Sequence, residues 1–292
     1  MRKKSFVIGL GVLLLLFTLS LPGLTANLIV PEDYSSIQAA VDLAESGDKI
    51  LLSAGMHTED VVISDKENLT LASRDLREFT IIKGQVTIEN SVNITLRNIT
   101  ITGPGYGVAV RGATVGLTFD EMAVIKNHLD GFNFSGGETR YYHLKISNCR
   151  IASNAGDGIT LGSMGNDINI RKNRILDNGT FTPGTEAAGA AGGTEPKGGQ
   201  SVGIRLKLQS PQAGGAGAVG PEILRKYIIQ DNIEINTKGE ASQQIESDAE
   251  EGDQGTPAGG AGAAGETEVL RVIIEDNILR GNTFAALHTT QG

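Results

Sequence analysis

The sequence predicts an all-β fold, a solenoid of short parallel strands wound into coils, opened by one short helix and interrupted by Gly/Ala-rich loops. Three observations predict it. From about residue 92 one pattern of short apolar pieces and corner residues recurs. A period of this size means stacked structural repeats. The pieces are three to five residues long and alternate in and out, so they read as strands. The segments that break the period are low-complexity, so they read as insertions rather than as coils.

The elements follow in chain order. Arg2, Lys3 and Lys4 precede the apolar run Val7 to Leu21, and Leu24-Thr25-Ala26 ends in a small residue. That is the layout of a signal peptide over 1–26, with an uncleaved anchor helix as the alternative. The chain beyond it, 27–292, is read as one domain in an exported compartment: secreted, periplasmic or at the cell surface. No second apolar run is long enough to span a bilayer. Ile37, Ala40, Val41 and Ala44 form one apolar helix face. Ser35 or Ser36 is placed to cap its start, and Gly47 to end it. Ile50–Leu52, Val61–Ile63 and Leu69–Leu71 then read as buried strands.

The repeat itself is anchored on Ile99, Met122, Cys149, Asn173, Asn232 and Asn277. The first three steps are 23, 27 and 24 residues, and the last two are 59 and 45. Stacked coils bury Ile on Ile and Leu on Leu, and corner Asn residues bond to the next coil. Asn173, Asn232 and Asn277 are expected to form such a ladder, with Cys149 buried in the same inward column. The long steps carry insertions at 184–200, 211–221 and 237–268, which together hold 17 of the 39 Gly. They have too few apolar residues to order themselves and read as flexible surface loops. The third carries a charge of −7, an acid-rich composition that is weakly suited to Ca²⁺ and ordinarily solvated. The chain stops at Leu287-His-Thr-Thr-Gln-Gly292 straight after a strand, so missing coils or a protein partner are expected at that edge.

Composition narrows the function. A single Cys excludes a disulfide framework or Cys-cluster zinc site. A net charge of −9 with no Trp argues against nucleic-acid binding. No metal-ligating cluster and no cofactor motif stands out. Chemistry is expected on the strands opened by Gly, where the outward positions are Ala109, Asn133, Thr160, Arg205 and Ala286, followed two residues on by Arg111, Ser135, Gly162, Lys207 and His288. Asp130 and Asp157 stand just before two of these glycines, one coil apart. Two carboxylates this close share a proton or a cation. Arg205 and Lys207 suit an anionic sugar polymer. Asp130, Asp157, Arg205 and Lys207 are therefore the catalytic candidates, and Asn133, Thr160, Arg111, Tyr141 and Tyr142 the substrate-binding ones. The competing reading is that Asp-Gly is turn chemistry and the cations are solvated.

Two segments resemble a known superfamily. Pro31-Glu-Asp-Tyr-Ser-Ser-Ile-Gln-Ala-Ala-Val through Ile50 is similar to the N-terminal cap of pectin-lyase-like right-handed parallel β-helix proteins, and Ala54-Gly-Met-His-Thr-Glu-Asp-Val-Val-Ile63 to the segment that follows it. The coils also resemble the periplasmic copper-processing accessory proteins of nitrous oxide reduction. The resemblance implies a right-handed coil and a fold that hosts lyases, hydrolases, epimerases, esterases, adhesins and non-catalytic members. The Gly-His-Gly, Asp-Pro-His and Asp-Phe-x-x-Gly signatures of its enzymes are absent from this sequence. The expected function is thus an exported scaffold or binding protein for cell-surface or extracellular polysaccharide. The alternatives are a lyase or hydrolase on an acidic glycan and a periplasmic metal-handling accessory protein.

Overall fold

The computed structural model describes residues 25–74, 80–136, 139–162, 165–179, 202–208, 223–230, 233–235, 268–280 and 285–291. The signal-peptide run, short of Thr25 and Ala26, lies outside them, as do the expected insertions 184–200, 211–221 and 237–268, save Glu268, which opens a strand instead of ending a loop. No helix among the described residues is long and apolar enough to cross a membrane.

The strands stack into three parallel sheets. The first runs Asn27–Val30, Lys49–Leu52, Thr70–Ser73, Thr95–Arg97, Ala113–Asp120, Arg140–Ser147, Gly165–Arg171, Glu268–Glu275, Ile223–Gln230. The second runs Gly55–His57, Thr80–Lys83, Thr100–Thr102, Ala123–Ile125, Arg150–Ala152, Arg174–Leu176, Ile278–Arg280, Ile233–Ile235. The third runs Val61–Ser64, Val86–Glu89, Val108–Arg111, Phe132–Phe134, Ile159–Leu161, Val202–Leu208, Ala285–Gln291. The core is the set of inward columns these registers create. One is Ile50, Leu71, Leu96, Phe119, Ile146, Ile170 and Ile274, each opposite the next and all buried. No coil could bury such a row alone.

Corners repeat as strictly as strands. Between the first and second sheets Asn98, Glu121, Asn148, Lys172 and Asp276 all take φ between 54° and 59°. A left-handed residue turns the chain sharply, at a cost Asn and Asp bear best. The next residue points inward. Cys149 N–H donates to Asn173 Oδ1 at 2.9 Å, and Asn173 N–H and Nδ2 donate to Asn277 Oδ1 at 2.9 and 3.0 Å. Between the second and third sheets Lys126, Ser153 and Asp177 are left-handed, followed by Asn127, Asn154 and Asn178. There Asn127 Nδ2 donates to Asn154 Oδ1 and Asn154 Nδ2 to Asn178 Oδ1, both at 2.9 Å. Cys149 is buried in the inward column, as the repeat predicts, and burial pushes its thiol up to about 12.

The stacking order corrects the sequence reading at one end. The strand Glu268–Glu275 lies between Gly165–Arg171 and Ile223–Gln230, so the later coil sits inside the earlier one. Asn277, not Asn232, therefore follows Asn173; Asn232 lies outside the described residues. Two features explain the order. In the sequence the second corner Asn follows the first anchor by five residues in the pairs 149/154, 173/178 and 277/282, but by four in 232/236, so the later coil keeps the spacing of the coils before it; Asn236 and Asn282 lie outside the described residues. Arg171 also meets Glu275 at 2.5 Å, where the earlier coil has Gln230 at the same register.

The opening helix spans Ile37–Leu43, and the Ser36 hydroxyl accepts from Ala39 N–H at 3.1 Å. It ends at Ala44 in extended geometry rather than at Gly47. The first strand of the third sheet, Val61–Ser64, and the residues beside it supply further ties, Lys66 Nζ donating to Asp42 O and Ala44 O at 3.1 and 3.0 Å. Glu59 accepts from the N–H groups of Ile37 and Gln38 at 2.9 and 3.0 Å. Gln38 clasps Val62, its Oε1 accepting from Val62 N–H at 2.7 Å and its Nε2 donating to Val62 O at 3.1 Å. That amide stands in for a strand partner at the first edge of the third sheet.

Candidate functional site

Three successive coils enter the third sheet through a glycine. A Cβ on Gly107, Gly131 or Gly158 would fall 2.5–2.6 Å from a carbonyl oxygen of the next coil. Only Gly permits that approach. It brings the preceding Asp130 and Asp157 against the outer face of the sheet.

The outward row reads Thr87, Ala109, Asn133, Thr160, Arg205 and His288 in register. His288, not Ala286, stands opposite Arg205, because Leu287 falls in register with Ile204 in the inward column. The expected alignment is thus two residues out on the last strand. Its signal was the alternation Ala285-x-Leu287-x-Thr289, which fixes the inward positions. Lys207 takes its place in Val202–Leu208 opposite Thr290.

The two carboxylates meet in this row. Asp130 Oδ1 accepts from Asp157 N–H at 2.8 Å, and its Oδ2 accepts from Asn133 Nδ2 at 2.8 Å and Thr160 Oγ1 at 2.9 Å. The Thr160 hydroxyl also lies 3.2 Å from Asp157 Oδ2. Arg205 closes on Asp157 with both arms of its fork, Nε to Oδ2 and Nη2 to Oδ1, the second at 3.1 Å. Burial first, then the Asp157 carboxylate, raises the Asp130 pKa above its usual range. The bonds from Asn133, Asp157 N–H and Thr160 oppose that rise without cancelling it.

The other expected residues divide. Thr160 is buried and holds the carboxylates instead of facing solvent. Tyr141 is fully buried, packed 5.1 Å from Phe134 with its hydroxyl donating to Gly162 O at 2.9 Å. It is a core ring because His143, left-handed at φ 56°, interrupts the alternation of Arg140–Ser147, so that 141 faces inward together with 144 and 146. Tyr142 belongs to the first sheet, opposite Val115 and Asn166, and so lies on a different sheet from the row. Arg111 is exposed at the end of its strand. Tyr106 enters in their place, half-buried just before Gly107. Burial and then the Asp130 charge raise its hydroxyl pKa, and the Arg111 charge opposes that rise.

The arrangement is a polar lip, Tyr106, Arg111 and Asn133, over a locked floor of Asp130, Asp157, Thr160 and Arg205. Among the described residues no group of three or more His, Cys, Asp or Glu side chains could hold a metal ion.

Three parallel sheets, stacked inward columns and left-handed corners define a parallel β-solenoid. The model of the right-handed β-helix region matches residues 54–210, over half of the chain, and the protein belongs to that family. No curated protein and no solved structure matches the chain.

Proposed function

We propose that the protein is an exported β-helix scaffold that binds polysaccharide across the lip of the third sheet. The observation that carries this is the polar set on two paired strands of the third sheet: Tyr106 just before Val108–Arg111, Arg111 at the end of that strand, and Asn133 opposite its Ala109. A half-buried ring offers a face to the apolar side of a sugar, and the cation and amide flank it with donors. Coils repeat about every 4.8 Å, close to one sugar unit of an extended chain, so successive coils meet successive rings. The carboxylates below are engaged by protein donors and set the shape of the lip. The test is equilibrium binding of the full chain to a panel of neutral and acidic polysaccharides. Tyr106→Ala and Arg111→Ala should each weaken binding at least about tenfold without lowering the melting temperature. No retention on any member of a broad panel overturns the reading.

One observation favours a second reading, a lyase or hydrolase on an acidic glycan. Asp130 is a carboxyl with a raised pKa beside a second carboxylate, the pattern that holds a proton for an acid step. Unsaturated-product absorbance and reducing-end release on the same panel test it, and no turnover removes it.

A further inference from the structure

Register stacking sets charges against charges, and two sheets do it in opposite ways. On the first sheet Arg97 lies 3.6 Å from Asp120 and 3.0 Å from Glu121, and Arg171 2.5 Å from Glu275, so opposite charges meet across coils. On the second sheet Arg150 stands directly opposite Arg174, and Arg280 follows one coil further on, opposite Leu176. All three arginines are exposed, and among the described residues none of their guanidinium groups has an ion-pair or hydrogen-bond partner. In-register residues of adjacent coils lie about 4.8 Å apart, and like charges so placed repel. Composition does not force the pair, since acids outnumber cations by nine in this chain.

The chain carries its own counter-charge beside this face. The second sheet ends at Ile233–Ile235, where Ile235 stands opposite Arg280. The segment 236–267 that leaves Ile235 lies outside the described residues. In sequence it holds Glu246, Asp248, Glu250, Glu251 and Asp253, a run with no cation in it. Strand spacing puts Arg174 about 12 Å and Arg150 about 16 Å from Ile235. The stretch of chain from Ile235 to Glu246 spans up to about 36 Å, so the acids reach both arginines. Acids on alternate residues of an extended chain lie about 6.6 Å apart on one side, within reach of two forks stacked at about 4.8 Å. We infer that the acidic run 246–253 docks on the second-sheet face, its carboxylates taking the forks of Arg150 and Arg174. Tethering selects this occupant. It holds the run at an effective concentration on the order of millimolar beside the pair. A free polyanion of any kind, glycan or nucleic acid, instead meets the repulsion of a net charge of −9. Docking relieves the repulsion within the arginine pair and shields it from outside anions. The docked face shares no residue with the Tyr106 lip, so it stands or falls apart from the polysaccharide reading.

The experiment is zero-length carbodiimide coupling in the full chain, with Arg174→Lys placing a primary amine in the pair. Mass spectrometry of the digest reads which carboxyl the amine has joined. In dilute solution the amine should couple to acids within 246–253 of its own chain, at least about tenfold more than exposed Lys83 does near the far end of the same sheet. Arg150→Gln should lower that yield, and about 1 M salt should lower it at least about tenfold. Phenylglyoxal gives a second reading on the native arginines. Arg150 and Arg174 should react at least about threefold faster when the five acids become amides (Glu246→Gln, Asp248→Asn, Glu250→Gln, Glu251→Gln and Asp253→Asn), while Arg97 keeps its rate. Coupling no stronger than at Lys83, coupling indifferent to salt, or coupling found only between copies in a mixture of isotopically labelled and unlabelled chains overturns the inference. Equal phenylglyoxal rates in the wild type and the amide variant overturn it as well.

Discussion

The corner Asn ladder and the outer row of the third sheet are built by one device, side chains repeated coil over coil. In the ladder each amide gives and takes: Asn154 Oδ1 accepts from Asn127 N–H and Nδ2, and its own Nδ2 donates to Asn178 and to Val124 O. No charge is buried there, and the ladder fixes register. In the outer row a carboxylate pair meets a single arginine, and Asp130 shifts its pKa instead of finding a counter-charge of its own. The difference shows how a solenoid keeps structure apart from chemistry. Neutral, self-complementary groups stack inside the corners, and mismatched charges stay on the outer face, within reach of a ligand.

The largest effect should come from breaking the ladder. Asn154→Ala removes the acceptor of two buried Asn127 donors and one of the two donors to Asn178 Oδ1, at a cost of about 3 kcal/mol in urea unfolding. A loss under about 1 kcal/mol would mean that water replaces the amide. Arg205→Ala leaves Asp157 without its cation and should cost about 2 kcal/mol, since both side chains are mostly buried. Adding Asp157→Asn to that variant should cost less than Asp157→Asn does in the wild type, and equal costs would show that the pair is not coupled.

Asp130→Asn should move stability least and in a pH-dependent way. The folded pKa of Asp130 lies above its ordinary 3.8, so the folded state binds the proton more tightly than the unfolded chain. Its contribution is complete below that ordinary value and is lost as pH rises through the raised one. Melting curves should therefore show Asp130→Asn gaining on the wild type as pH rises through the acid range, then holding level. A gain that grows as pH falls would reverse the sign of the shift. Cys149 gives a control on the ladder side, since its buried thiol should resist labelling until the chain unfolds.

Much of the fold was legible because its determinants are local and periodic. Ile and Leu columns, the buried Cys149 and the apolar helix face all follow from spacing. What was not legible depends on choices between near-equal partners. Asn232 and Asn277 hold the same place in the repeat and differ in sequence by one residue in the spacing to the next Asn; Asn277 is the one that stacks on Asn173. The register of His288 turned on Leu287 against Ala286, a choice that strand parity settles and a motif search does not. Tyr141 and Tyr142 are adjacent, and plain alternation back from Leu144 and Ile146 points to Tyr142; the left-handed His143 shifts the parity and turns Tyr141 inward instead. Asp130, Asp157 and Arg205 were expected near one another, and their sequence places them so. The bonds that lock them, through Thr160 and Asn133, needed the coil-to-coil geometry.

The central claim is that ligand meets the lip above the locked row. Equilibrium binding to the polysaccharide panel, comparing the wild type with Tyr106→Ala/Arg111→Ala at matched melting temperature, tests it most directly. The account predicts binding by the wild type and a loss of at least about tenfold in the double variant. Undiminished binding by a folded double variant would contradict it.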